Sequence, residues 1–311
     1  ERLLNMLNHV RHRPIEVYGV FSGDITGTDP DDDLHSDLDS LIHEIRSGSV
    51  DDVGIALPGS EDDRIMAIMS KLRDLPVNVY LGSDLIGFRT QFQSRPSHFG
   101  SLPVFQVIGK PMSGWDAVIK VIEDYILASL IVILISPLLA LIALAVRIDS
   151  GSPILFRQKR LGYNNEAFDC FKFRTMHAET QPTNTTVQAT KDDPRITRLG
   201  QFLRRWSLDE LPQLFNVLNG TMSLVGPRPH ALDHNDEFAK RAKNYFARHR
   251  VKPGITGLAQ VRGFRGPTDT DEKLEGRVRN DIFYAENWSL SLDIQILART
   301  IVVCLFGKNA Y

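Results

Sequence analysis

One uncharged apolar run, Tyr125 to Val146, interrupted at its centre by Ser136-Pro137, constrains this chain of 311 residues more than any other feature. As a straight helix it reaches roughly 33 Å at 1.5 Å per residue, about one hydrocarbon core. It is too long and too apolar for the core helix of a soluble domain. Pro137 removes a helix hydrogen bond and crowds the preceding turn, so a kink is expected there. The Ser136 hydroxyl can take up the freed carbonyl, which lipid would leave unpaired. Two geometries follow: a kinked span, or a helix that dips in and returns to the same face. Lys110 and Lys120 precede the run, and Arg147, Arg157, Lys159 and Arg160 follow it. The positive-inside rule pulls both ends to the cytoplasm, which favours the returning, re-entrant helix.

Charge divides the chain. Residues 1–110 carry 10 Lys and Arg against 17 Asp and Glu; the remainder carries 26 against 21. An acidic module therefore precedes a basic, membrane-bearing one, and the basic half suits anionic partners such as lipid headgroups or phosphates. No dense Lys/Arg tract supports a nucleic-acid partner. Cys170 and Cys304 lack metal-ligand spacing and fit a reducing, cytoplasmic setting. The chain opens on Glu1 inside what reads as a helix, Arg2 to His12, so earlier segments of a longer protein are expected.

Between 14 and 110, strand signals (Ile15–Phe21, Val53–Leu57, Val77–Leu81, Val104–Ile108) alternate with helical ones (Leu38–Arg46, Glu61–Leu72). That alternation predicts βαβ units around a parallel sheet. No Gly-rich phosphate loop follows a strand, so dimerisation or partner binding suits this module at least as well as nucleotide binding. The acidic loop Asp29–Asp33 reads as solvated rather than as a cation site. Residues 111–124 form a linker and an interfacial helix, with Trp115 placed for the membrane surface, followed by the membrane helix 125–146. From Arg147 the pattern turns soluble and mostly α. It opens with strands at Ile154–Gln158 and Ala167–Arg174 around a turn at Gly162–Asn165. A polar loop, Glu179–Asp193, precedes amphipathic helices at Arg195–Trp206 and Glu210–Leu218, and Leu292–Phe306 suits an interfacial helix.

The chemistry-bearing stretch is Arg204-Arg205-Trp206-Ser207-Leu208-Asp209-Glu210-Leu211-Pro212. Pro212 belongs in a first helical turn, which puts Asp209 and Glu210 at a helix start, where the dipole favours ionised carboxylates. Beside Arg204 and Arg205 they could hold a divalent cation and an anionic substrate. Equally, Ser207 and Glu210 have the spacing of a capping box, which would stabilise the helix and do nothing else. Arg228, between Pro227 and Pro229, is a guanidinium on a stiff backbone suited to phosphate. Lys172 and Arg174 set cations among aromatics, whereas Lys159 and Arg160 also read as a basic membrane-facing surface.

Five motifs in order carry a resemblance: Phe156–Gly162, Lys172–Met176, Leu208–Gln213, Gly226–Pro229 and Pro253–Gly257. With the Ser136-Pro137 break, they resemble the bacterial sugar transferase domain of monotopic polyprenyl-phosphate phosphoglycosyl transferases, over about 113–311. The resemblance implies a re-entrant helix, a mostly α, membrane-associated catalytic domain at 147–311, and a Rossmann-like accessory domain at 1–110, whose first strand and Gly loop are missing here. It also implies an enzyme of the cytoplasmic membrane of bacteria, catalytic domain on the cytoplasmic face. Such an enzyme moves a sugar-1-phosphate from a UDP-sugar to undecaprenyl phosphate and releases UMP. Asp209 would be the nucleophile forming a phosphosugar–aspartyl intermediate, and Asp209 and Glu210 would hold Mg²⁺. Arg228 would bind donor phosphates, with Lys172, Arg174, Lys159 and Arg160 as further substrate-binding candidates. The C-terminal stretches Arg262–Gly266 and Asn287–Leu290 are similar to undecaprenyl-phosphate glucose phosphotransferases, which start exopolysaccharide units and point to glucose. A homodimer through residues 1–110 is expected. The alternatives are a membrane glycosyltransferase releasing UDP and a non-catalytic scaffold.

Overall fold

The computed structural model describes residues 17–21, 35–57, 61–82, 95–99, 102–177, 193–264, 266 and 270–306. The expected helix Arg2–His12, the loop Gly23–Asp33 and most of Glu179–Asp193 lie outside them. The chain divides into two compact units, Glu1–Lys110 and Pro111–Tyr311.

The first unit holds α1 (His35–Arg46), β1 (Asp52–Ile55), α2 (Asp62–Leu72), β2 (Asn78–Gly82), β3 (Arg95–Phe99) and β4 (Leu102–Ile108). Its four-stranded sheet runs β1-β2-β4-β3. Ile65, Ile68, Met69 and Leu72 recur at helical spacing on α2 and bury against Val77, Val79 and Leu81. β1-α2-β2 is the expected βαβ unit, with parallel pairing. The other half corrects the parallel-sheet expectation: β4 runs antiparallel to both β2 and β3. Only two residues join β3 to β4, and so short a connection permits only an antiparallel pair. Pro96 suits β3 to the sheet edge, where no partner needs its missing N–H. Residues 17–21 of the expected first strand join no strand, and Val17, Tyr18 and Val20 are exposed.

In the second unit, α3 runs unbroken from Trp115 to Ser150, with Pro137 inside it. The predicted boundary between an interfacial helix and the apolar run is therefore one continuous helix. Ser136 Oγ donates to the Ile133 carbonyl at 2.9 Å, the acceptor that Pro137, four residues on, cannot use. Leu130, Ile133, Leu134, Leu141 and Leu144 are exposed, as is Trp115 at 80%. Lys120 departs from the reading of a flanking surface charge. It is buried, with Nζ 2.6 Å from Asp293, 3.1 Å from Asp124 and 3.6 Å from Glu123. Ser223 Oγ and Leu224 N also donate to Asp124, so this polar knot ties the head of α3 to the core.

β5 (Leu155–Leu161) and β6 (Ala167–Phe173) form an antiparallel hairpin, followed by α4 (Arg198–Arg205), which Thr197 caps. A 3-10 turn (Leu208–Glu210), α5 (Gln213–Leu218) and β7 (Ser223–Val225) come next, then α6 (Leu232–Arg241) and a 3-10 helix (Tyr245–Arg250). β8 (Gly254–Thr256) pairs parallel with β7, and α7 (Leu258–Val261), α8 (Asp271–Glu286) and α9 (Leu290–Phe306) complete the unit. Both halves of α3 pack on this body. Ala128 and its neighbours meet Leu214, Met222 and Ile296; Leu139, Ile142 and Val146 meet Phe173, Leu203, Leu208 and Leu211.

Candidate active site

Ser207, in the left-handed region at φ 55°, ends the α4 segment and starts the 3-10 turn that carries Asp209 and Glu210. The α-helix itself begins only at Gln213, with Pro212 as its N-cap. The carboxylates thus precede the helix rather than occupy its first turn. Ser207 makes no side-chain cap to the turn, which removes the capping-box alternative. Leu208 and Leu211, three apart on one side of the turn, pack toward the membrane helix, while Asp209 is buried at 6% exposure.

Glu210 is clamped. Arg228 gives it two parallel bonds, Nη1 to Oε2 at 3.0 Å and Nη2 to Oε1 at 2.6 Å. Lys172, delivered by β6, adds a third at 2.7 Å. Burial works to raise the Glu210 carboxyl, but the joint pull of Arg228 and Lys172 overrides it and holds the group well below its ordinary range. Asp209 moves the other way. Its burial is the largest influence and pushes it up, Glu210 adds to that, and Lys172, Arg204 and Arg228 pull back incompletely. Two adjacent carboxyls are thereby separated into a clamped anion and a more basic neighbour.

The structure sorts the remaining candidates. Arg160 donates to the Pro229 carbonyl at 2.6 Å and feels both Glu210 and Arg228. Arg174 does not join the carboxylates. It donates to the Ser152 carbonyl at 3.0 Å and, with Pro153, Leu155, Phe156 and Arg157, lines a cavity of about 530 Å³. Lys159 pairs across the hairpin with Asp169 at 3.4 Å, largely exposed. Arg204 acts on Asp209 electrostatically while its Nε bonds Thr175 Oγ1 at 2.9 Å. Sequence reasoning passed over Arg248, which is fully buried and bonded to the Arg228 carbonyl at 2.6 Å. Its only signal was a basic run, Arg248-His249-Arg250, next to aromatic Tyr245-Phe246.

Among the described residues no group of three or more His, Cys, Asp or Glu could hold a metal. A magnesium ion needs less, because one or two carboxylates, with waters and substrate phosphates, are its usual protein-side ligands. A carboxylate offers about four acceptor positions. Three on Glu210 are taken, so Asp209 and the remaining position on Glu210 fit such an ion.

Comparison with known proteins places most of the chain in one family. Residues 115–307 match the bacterial sugar transferase family, and residues 1–82 match a CoA-binding domain. A UDP-glucose:undecaprenyl-phosphate glucose-1-phosphate transferase of Klebsiella pneumoniae is 41% identical over 99% of this chain and 66% of its own length. A protein of the same name from Xanthomonas campestris pv. campestris is 45% identical over 88% of this chain and 57% of its own. A UDP-N-acetylgalactosamine-undecaprenyl-phosphate N-acetylgalactosaminephosphotransferase of Aeromonas hydrophila is 38% identical over 62% of this chain and 45% of its own. The chain thus spans less than two thirds of the length of these relatives. A match reaching from the start of α3 to just past the end of α9 takes in the Leu208–Glu210 turn and the cations around it, and the chain belongs to the bacterial sugar transferase family.

Proposed function

We propose that this protein transfers glucose-1-phosphate from UDP-glucose to undecaprenyl phosphate and releases UMP, starting a polysaccharide repeat unit. The observation that carries this is the pair of unequal carboxyls: Glu210 held by Arg228 and Lys172, and Asp209 beside it, buried and more basic. The relatives named for glucose match a larger share of this chain, at higher identity, than the one named for N-acetylgalactosamine.

Asp209 attacks the phosphorus that bears the glucose. The P–O bond to the UMP phosphate breaks, and UMP leaves with the electron pair. An acyl phosphate, glucose-1-phosphoryl-Asp209, remains. An oxygen of undecaprenyl phosphate then attacks the same phosphorus, the Asp209–phosphate bond breaks, and the carboxylate is restored. Lys172, Arg204 and Arg228 balance the charge of the phosphates during both displacements. Mg²⁺, when bound by Asp209 and Glu210, supplies further neutralisation of phosphate charge. The released nucleotide tests the reading. UMP from UDP-glucose, with purified protein, Mg²⁺ and undecaprenyl phosphate, supports it; UDP would mean plain glycosyl transfer, and no nucleotide from any UDP-sugar would mean a scaffold.

The nucleophile must be ionised, so kcat/KM falls as pH drops through the Asp209 pKa. Because burial raises that pKa, the acid limb is expected above the ordinary aspartate value of about 3.9. Lys172→Gln removes the strongest cation acting on Asp209, and the limb moves to still higher pH. A limb that stays put in this variant assigns it to another group.

The re-entrant reading of α3 now rests on packing more than on charge. Lys120 is neutralised inside the protein, but the residues on both sides of Ser136-Pro137 pack on the same catalytic body. A spanning helix would leave its far half with nothing but lipid. On this reading the body lies on the cytoplasmic face of the bacterial inner membrane, with exposed Phe202, Trp206 and Phe215 beside the headgroups. Single cysteines at Trp115 and Gly151, in a background lacking Cys170 and Cys304, are both expected to react from the cytoplasmic side alone. Labelling from opposite sides would establish a span.

A further inference from the structure

Pro227, Arg228 and Pro229 follow β7. Two of these residues have no N–H, so the segment is gripped mainly through its carbonyls. All three carbonyls are held. Pro227 O accepts from Gly254 N at 2.9 Å, Arg228 O from Arg248 Nη2 at 2.6 Å, and Pro229 O from Arg160 Nη1 at 2.6 Å. The donors come from β8, from the 245–250 helix and from β5. Gly254 approaches so closely that a Cβ there would meet Gly226 N and Thr256 O.

Arg248 is sunk in its own polar nest. It pairs with Asp281 at 2.8 Å and approaches His230 Nδ1 at 2.8 Å. Arg277 Nη1 lies 3.1 Å from Nε2 of the same ring, and Tyr245 Oη lies 2.6 Å from Nδ1. A buried guanidinium is costly to desolvate and is weak as a device for stability alone. Here it faces a catalytic-loop carbonyl.

We propose that Arg248 and Arg160 are positioning residues for sugar-phosphate transfer. They do not touch substrate; they hold the Arg228 and Pro229 carbonyls, so that the Arg228 fork stays in register with Glu210. The proposal rests on the transfer reaction above. A two-pronged contact with oxygens at 2.6 and 3.0 Å tolerates little rotation of the backbone that carries it. Lysine at 160 or 248 keeps the charge but loses the planar fork that reaches the carbonyl alongside its other partners.

The test is a double-mutant cycle. Arg160→Lys and Arg248→Lys are each made alone and together with Arg228→Ala, and UMP release is measured with UDP-glucose varied. Each single variant is expected to raise KM for UDP-glucose about tenfold, with a smaller fall in kcat. In the Arg228→Ala background the same changes should shift kcat/KM less than about twofold, because their target is gone. Multiplying effects would overturn the proposal, since they would mean direct phosphate contact or general support of the fold. Should Arg248→Lys fail to give monodisperse protein with an ordinary melting temperature, Arg160→Lys on the hairpin decides alone. If the parent protein releases no UMP, the transfer reading fails by itself. The same cycle read as UMP binding affinity then decides the positioning role.

Discussion

Asp209→Asn is expected to fold normally and to lose at least about 10⁴-fold in turnover. The amide is isosteric but carries no charge to attack phosphorus. Glu210 cannot take over, because three hydrogen bonds from Arg228 and Lys172 occupy it. Stability should hold or rise, since the carboxyl it replaces is buried and already resists ionisation. UMP release and a thermal melt, measured on one preparation, check both halves. Wild-type turnover in the Asn variant would discard the covalent route, whereas a lost melt would say only that Asp209 is structural.

Arg228→Ala carries the second large effect. It strips Glu210 of two of its three bonds and leaves a buried carboxylate with Lys172 alone. Removing one partner of a buried ion pair costs about 3–5 kcal/mol locally. Part of that is offset if Glu210 takes up a proton. Loss of one positioned donor at a developing charge typically costs about 10²–10³-fold in rate, and kcat/KM for UDP-glucose is expected to fall within that range. Arg228→Lys should recover only a minor part, because a point charge replaces a fork. Full recovery with lysine would show that Arg228 contributes charge alone.

The sequence made the long apolar helix, the 155–173 hairpin and the α1–β1–α2–β2 succession readable, because each is written in local periodicity. Its failures are of one kind. Arg95-Pro96-Ser97-His98-Phe99 has no strand alternation and became β3 through its two-residue link to β4. Lys120 read as a membrane-flanking charge because its nearest partner, Asp293, lies 173 residues away. Whether Ser207 and Glu210 form a capping box was undecidable locally, since the cations that clamp Glu210 instead, Lys172 and Arg228, arrive from β6 and the loop after β7. Motif resemblance supplied the roles expected of Asp209 and Glu210; only the fold showed that Lys159 and Arg174 stand apart from them and that Arg248 holds the Arg228 carbonyl.

Leu208 and Leu211 flank Asp209 and Glu210 and share one packing cluster with Leu139, Ile142 and Val146 of α3. On the proposed function, catalysis and anchoring therefore share one mechanical footing. On the proposed mechanism a nucleophile fastened in this way would stay at a fixed height over the bilayer, and a lipid phosphate, confined to its own narrow layer, would arrive at that height unaided. On that reading the membrane would act as a ruler that measures out the attacking distance, and the isoprenoid tail, left in the oil below, would not need to be gauged by the protein at all.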